Sequence, residues 1–271
     1  MTATEPFDRA LRRRRHARAH AGFAAAGFLH DHIAEGLRER VGDVSRTFAD
    51  VLDLGGPAPV WPGAVRAALA APAAVVADED RLPFADASFD LVVSAGGLAT
   101  VSDLPGALAQ IRRVLRPDGL FVGALVGGMT LVELRAVLLE AEAEVTGGAA
   151  ARLAPMVEAS AAAGLLQRAG FAMPVADVER LTVRYGSLFG LLDDLTAMGA
   201  RSVLGSRQPL RRAVLAGAAA RFAAMAGPDG KTGVTVEVLH LAGWAPAPDQ
   251  PQPLRPGSAT TSLKTALERK I

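Results

Sequence analysis

The feature that most constrains this chain is an apolar run ending in an acidic residue and two glycines, VLDLGG at residues 51–56. A buried parallel strand is a continuous apolar run, and in an open α/β sheet ligands bind beyond the carboxyl ends of such strands. Residues 75–94, VVADEDRLPFADASFDLVVS, contain two more strands of this kind, one followed by the acidic run 78–80. The pattern predicts an α/β fold with a doubly wound sheet and a small-molecule site at one edge.

Composition excludes several classes of protein. Half of the 271 residues are apolar, which suffices for a large core. The formal net charge of +1 gives no strong field for binding nucleic acid, and the absence of cysteine excludes disulfides, thiolate catalysis and cysteine-based metal sites. No apolar run reaches the roughly 18 residues typical of a membrane span. Frequent Ala, Arg and Gly indicate a bacterium with a GC-rich genome, so we expect a cytoplasmic location.

The chain divides into four segments by composition and periodicity. Residues 1–45 form a basic helical N-terminal segment and residues 46–130 a cofactor-domain core. Residues 131–245 hold the remaining helices, a helical cap and the C-terminal strands of the same domain, and 246–271 are a Pro-rich linker and mobile tail. Strands are predicted at 48–54, 74–77, 89–94, 120–125, 178–185 and 234–244, the last two antiparallel, and helices at 9–41, 63–71, 105–115, 131–145, 155–169, 188–198 and 210–225.

Several motifs carry a family resemblance. DLG, an Asp four residues before LPF, then FDLVVS and LRPDG resemble the class I S-adenosylmethionine-dependent methyltransferases. Residues 7–15, 103–135, 191–200 and 255–263 further resemble the methyltransferase-fold assembly factors of respiratory complex I, a family of arginine hydroxylases related to the malonyl-acyl carrier protein methyltransferase of biotin synthesis. The resemblance implies a Rossmann-like, mostly parallel sheet with an antiparallel C-terminal hairpin and a helical cap.

The resemblance also implies S-adenosylmethionine as cofactor. Asp53, Gly55 and Gly56 would form the loop at its methionine end, and Asp78 with Glu79 would receive the adenine. Ser94 and Ala95 would line the sulfonium pocket. For Asp78 and Glu79 a solvated acidic loop is the alternative.

The sequence departs from the methyltransferase pattern in two places. Pro57 and Pro59 occupy the second and third glycine positions of the cofactor loop, and proline has no N–H to donate. No acidic residue lies between Asp53 and Asp78, where the family carries a ribose-binding acid. Either the second strand is deleted or Asp78 serves as that acid. We favour deletion, so the sheet is predicted to lack one early strand.

No catalytic residue is assigned. Tyr185, Asp193 and Asp194 fall where the family's substrate cap lies, and either aspartate could act as a general base or simply cap and solvate a helix. No metal site is predicted, because the candidates have no acids nearby: His16, His20, His30 and His32.

The basic N-terminus allows several interpretations. Residues 9–20 carry six arginines and two histidines, as in a mitochondrial transit peptide, although Glu5 and Asp8 argue against that. A solvated basic helix is the simplest interpretation. The alternative is a surface for an acidic partner or anionic lipid, which would allow peripheral membrane association.

Two functional hypotheses follow. The first is methyl transfer from S-adenosylmethionine to an O or N acceptor on a protein or small carboxylate. The second is a non-catalytic or arginine-hydroxylating assembly factor for respiratory complex I, with a complex subunit as partner. An enzyme needs an open pocket beside Gly55, Asp78 and Ser94, whereas a scaffold could fill it with Trp61 or Pro57.

Overall fold

The fold is organised around one mixed β-sheet. The computed structural model describes residues 5–19, 23–250, 258 and 262. In these residues seven strands pair in the order β3-β2-β1-β4-β5-β7-β6. The strands are β1 (Val51–Leu54), β2 (Val65–Ala68), β3 (Val75–Val76), β4 (Phe89–Ala95), β5 (Leu115–Val126), β6 (Ala172–Tyr185) and β7 (Thr232–Trp244).

The strand directions confirm the predicted doubly wound architecture. Neighbouring strands from β3 through β5 are parallel, so their carboxyl ends share one edge. β7 runs antiparallel between β5 and β6, which is the predicted C-terminal hairpin.

The prediction of a missing early strand was wrong. Residues 65–68, predicted to lie in a helix, form β2 and pair with β1 in parallel, with Asp53 opposite Arg66. Ten residues, 55–64, join the two strands, fewer than the dozen or more that a crossover usually needs. The chain therefore keeps the second strand and lacks the helix that would normally precede it.

Helices cover both faces of the sheet and one end. They are α1 (Arg9–Ala19), α2 (Phe23–Ala26), α3 (Phe28–Gly42), α4 (Leu104–Val114), α5 (Val132–Thr146), α6 (Ala159–Arg168), α7 (Leu188–Ala197) and α8 (Arg212–Ala224). The helix predicted over 9–41 is thus interrupted before Phe28, and residues 20–22 lie outside the described part of the chain. α3 packs on one face of the sheet, and α4 and α6 on the other.

The predicted helical cap is formed by α5, α7 and α8, which share a separate apolar cluster built on Leu134, Leu191 and Phe222. Of the predicted tail, Gln250 packs back onto the sheet through hydrogen bonds to Asp118 and the Ala245 carbonyl, both 3.0 Å. Most of residues 251–271 lie outside the described residues. The domain boundaries stay a prediction. No helix in the described ranges is both long and apolar enough to cross a membrane.

Candidate functional site

Asp53, at the carboxyl end of β1, is committed to internal contacts. Its side chain is 1% exposed and accepts hydrogen bonds from the backbone N–H groups of Val60 (2.5 Å) and Trp61 (3.2 Å). Burial raises the pKa of Asp53, while these N–H groups and the Arg66 guanidinium, 3.3 Å away, act in the opposite direction. The carboxylate thus fixes the loop that follows β1.

Arg66 completes the fixation of this loop, and sequence reasoning did not identify it. Its guanidinium donates to the carbonyl oxygens of Gly56 (2.9 Å) and Ala58 (3.0 Å) as well as to Asp53. In a loop where prolines remove N–H donors, Arg66 supplies donors instead. Only the pairing of β2 with β1 brings it here, so no local sequence signal marks it.

The two glycines that follow β1 lie in direct contact with the segment after β4. Gly55 and Gly56 have φ of 68° and 71°, in the left-handed region that favours glycine. A Cβ on Gly56 would lie 2.5 Å from the Ala95 carbonyl oxygen, and one on Gly97 would lie 2.7 Å from the Gly56 nitrogen. The crevice between the ends of β1 and β4, the switch point of the sheet, is therefore closed by backbone contact.

The acidic run after β3 is neutralised by the N-terminal helix. Arg12 is 4% exposed and Glu79 is fully buried. Two guanidinium nitrogens of Arg12 donate to the two carboxylate oxygens of Glu79, at 2.7 and 2.8 Å. The same guanidinium donates to the Gly97 carbonyl (2.6 Å) and, through Nε–H, to Thr100 Oγ1 (2.8 Å). Burial raises the pKa of Glu79, and the Arg12 charge opposes that shift.

Two further arginine–aspartate ion pairs join α1 to the acidic run after β3. Arg9 binds both oxygens of Asp80, at 2.9 and 2.5 Å, and Arg13 binds Asp78 at 2.7 Å. The interpretation of α1 as a solvated basic helix was therefore wrong for Arg9 and Arg12, whereas Arg13 and Arg14 are exposed. The acidic partner of this helix lies in the same chain. The available signal was the match between a run of arginines and the run Asp-Glu-Asp.

The remaining predicted cofactor residues are enclosed within the sheet. Ser94 is fully buried and Ala95 is 1% exposed, both in β4. The Ser94 hydroxyl has no hydrogen-bond partner among the described residues. The structure thus places Gly55, Gly56 and Ala95 around one closed crevice, with Asp78 turned toward α1, and the assignment of these residues to a cofactor stays a prediction.

The cavity beside the loop after β1 is too small for S-adenosylmethionine. Beside Gly56, Pro57 and Arg66 the cavity measures about 20 Å³, room for roughly one water molecule. Small-molecule pockets are typically about 300–1,000 Å³. Pro57 lines this small cavity, whereas Trp61 packs with the apolar cluster under α3. Neither predicted residue fills the crevice by itself, because backbone contacts close it and Arg12 and Arg66 lie beside it.

The three catalytic candidates lie away from this crevice. Tyr185 ends β6 and packs against the apolar cluster of the cap, while Asp193 is exposed on α7. Burial and the negative charge of Asp194 raise the pKa of Tyr185, so its phenol stays protonated near neutral pH. A catalytic role for these residues stays a prediction. In the described ranges no three His, Asp or Glu side chains are placed to hold a metal, and His20 lies outside those ranges.

Comparison with known proteins identifies the family. Residues 60–123, from the loop before β2 into β5, match the methyltransferase-domain family. The mitochondrial arginine-hydroxylase NDUFAF5 of Danio rerio is 35% identical over 282 residues, covering 95% of this chain and 88% of that protein. The chain belongs to the NDUFAF5 family. This confirms the resemblance that the sequence motifs indicate.

Other relatives of this NDUFAF5-family chain match over shorter lengths. The Rattus norvegicus arginine-hydroxylase NDUFAF5 is 41% identical over 70% of this chain and 56% of its own length. A malonyl-[acyl-carrier protein] O-methyltransferase of Methylovorus is 37% identical over 64% of this chain and 57% of its own length. The chain therefore spans a little more than half of each of these two proteins.

Proposed function

We propose that this protein is an assembly factor for respiratory complex I that recognises an arginine side chain of a partner protein at the closed crevice. One observation carries the proposal, the receptor for a guanidinium group formed by Glu79, the Gly97 carbonyl and Thr100. In this structure the protein's own Arg12 occupies it. Membership in a family whose relatives are named arginine hydroxylases supports the same assignment.

The chemistry of this receptor selects arginine over lysine. A guanidinium presents its N–H groups in a planar fork, and here both Glu79 oxygens, a carbonyl and a hydroxyl each accept one of them. A lysine ammonium is a point charge that cannot match this two-point contact with the carboxylate. An arginine from a partner would have to displace Arg12, so partner binding and movement of α1 are coupled in this proposal.

A second candidate function is methyl transfer to an O or N acceptor on a protein or small carboxylate. It is favoured by the match to the methyltransferase-domain family and by Asp78, a carboxylate at the end of β3. The pairing of Asp78 with Arg13 and the cavity of about 20 Å³ mean that α1 would first have to leave. Titration of wild-type protein and Arg12→Ala with S-adenosylhomocysteine tests this, and micromolar binding would favour methyl transfer.

The cellular setting is part of the proposal. Composition favours a bacterial protein of the cytoplasm, where peripheral contact with the membrane would bring it to the respiratory complex. In a strain lacking this gene we expect reduced NADH:quinone oxidoreductase activity in membranes. Wild-type protein would restore that activity, and Glu79→Gln at equal soluble level would not. Unchanged activity in the deletion strain would overturn the assembly role.

Arginine recognition is tested directly by calorimetry with two tripeptides that differ only in a central arginine or lysine. Arg12→Ala should bind the arginine peptide about tenfold more tightly than the lysine peptide. Wild-type protein and the control Arg14→Ala should bind the arginine peptide more weakly, because Arg12 competes. A folded Arg12→Ala that does not distinguish the peptides would contradict the proposed recognition.

A further inference from the structure

A second, larger cavity lies beside the closed crevice. Its volume is about 250 Å³, and Thr100, which accepts the Arg12 Nε–H, forms part of its wall. The cap helices α5 and α7 supply one side, and α1 with the segment after α7 supplies the other. This volume lies just below the roughly 300–1,000 Å³ typical of small-molecule pockets, so the cavity suits a small ligand.

The wall contributed by the cap is apolar. Leu153 and Met156, from the segment before α6, form part of it. The rest consists of leucines in or just before α5 and in α7: Leu131, Leu134, Leu138, Leu192 and Leu195. Leu134 is 3% exposed and belongs to the core of the cap, so this wall is part of the folded framework. Such a surface accommodates a short hydrocarbon chain.

The opposite wall is cationic. Among the described residues, four arginines and no carboxylate line the cavity. Of these, Arg152 is neutralised by a buried contact with Glu142. Burial lowers the pKa of Arg15, and the positive charges of Arg207 and Arg201 lower it further. Arg201 and Arg207 are exposed, so solvent screens much of their repulsion from Arg15, but the three positive charges still favour an anion at this wall.

Ser202 connects the cationic wall to α1. Ser202 lines the cavity, and its Oγ is inaccessible to solvent and has no hydrogen-bond partner among the described residues. The backbone carbonyl of Ser202 accepts a hydrogen bond from Arg15. One arginine of the cationic wall is therefore held in place by the backbone of the segment after α7.

We propose that this cavity binds a small anionic amphiphile, with an anionic head held by Arg15, Arg201 and Arg207 and a short apolar chain against the leucines of the cap. The cavity shares Thr100 with the guanidinium receptor but uses different charged residues, and the proposal does not depend on arginine recognition. The ligand is either a free short-chain acid or the acid portion of a lipid, which share this chemistry.

Calorimetric titration at pH 7.5 with octanoate, acetate and 1-octanol separates the contributions of head and chain. Octanoate should bind with a Kd of about 1 mM or tighter, and acetate and octanol about tenfold more weakly. In the double variant Arg201→Gln/Arg207→Gln, octanoate affinity should fall to that of octanol. The control Arg211→Gln/Arg212→Gln removes the same charge from exposed positions that do not line the cavity.

Sedimentation with vesicles of phosphatidylglycerol or phosphatidylcholine then distinguishes a lipid ligand from a free short-chain acid. Cosedimentation with phosphatidylglycerol alone, lost in Arg201→Gln/Arg207→Gln, would support a lipid acid as ligand. Octanoate binding without cosedimentation would support a free acid. Absence of saturable octanoate binding, equal affinity for octanol, or an unchanged affinity in the double variant with wild-type thermal stability would overturn the proposal.

Discussion

At the scale of single residues, the Arg12–Glu79 pair dominates the electrostatics of the candidate site. Both side chains are almost fully buried, so each depends on the other for compensation of its charge. We expect Arg12→Ala to lower the free energy of unfolding by about 3–5 kcal/mol, because it leaves a buried carboxylate without a partner. Arg14→Ala, on the exposed side of the same helix, should change it by no more than about 0.5 kcal/mol. Urea denaturation monitored by circular dichroism measures both.

Removing both members of this pair provides the matched control. Arg12→Met combined with Glu79→Leu eliminates both buried charges and keeps apolar side chains of similar length. Most of the stability lost in Arg12→Ala should return, because an apolar pair often replaces a buried ion pair at little cost. Equal effects of Arg12→Ala and Arg14→Ala would show that Glu79 is not buried behind α1 in solution.

At the scale of elements, the loop joining β1 to β2 closes the crevice through Gly56. Gly56 and Gly63 have similar positive φ, 71° and 77°, but only Gly56 faces a neighbour, the Ala95 carbonyl oxygen at 2.5 Å from an added Cβ. Gly63→Ala should cost about 1–2 kcal/mol for the left-handed conformation. Gly56→Ala should cost about 1–3 kcal/mol more, because the methyl group overlaps β4.

Thermal and urea unfolding of these two variants measures the difference. An equal loss in Gly56→Ala and Gly63→Ala would mean that the loop and β4 are not in contact. If Gly56→Ala loses more unfolding free energy than Gly63→Ala, the closed crevice is supported. The two substitutions otherwise impose the same backbone strain.

The same loop shows where sequence reasoning reaches its limit. β1, β4 and the core of β5 are mostly apolar, so their positions follow from the sequence. β2 has Arg66 and two alanines, which favour a helix over a strand by local propensity, and parallel pairing with β1 overrides that preference. The pairing of Arg12 with Glu79 joins residues 67 positions apart, so no local pattern reveals it.

At the scale of the whole molecule, two buried histidines, His30 and His240, and the half-buried His16 make stability depend on pH. Burial is the largest cause of the lowered pKa of His16, His30 and His240, and the pKa of His16 falls to about 4. A histidine whose pKa is lower in the folded protein takes up its proton preferentially in the unfolded chain. Its contribution to stability is therefore complete above pH 6.5 and is lost as pH falls from 6.5 toward the folded pKa.

His16 allows the pH dependence to be tested where α1 packs against β2. Besides burial, the positive charges of Arg12 and Arg66 lower its pKa, so protonation of His16 would place a third cation between α1 and β2. Between pH 7.5 and 5 this residue alone should account for about 1–2 kcal/mol of lost unfolding free energy. His16→Gln should lose that much less stability on acidification than the wild type, in urea titrations at the two pH values.

The comparison between variants also cancels the opposing contributions of Asp53 and Glu79, whose pKa values burial raises. Identical pH dependence in both proteins would mean that His16 is solvated and that α1 does not cover β2 in solution.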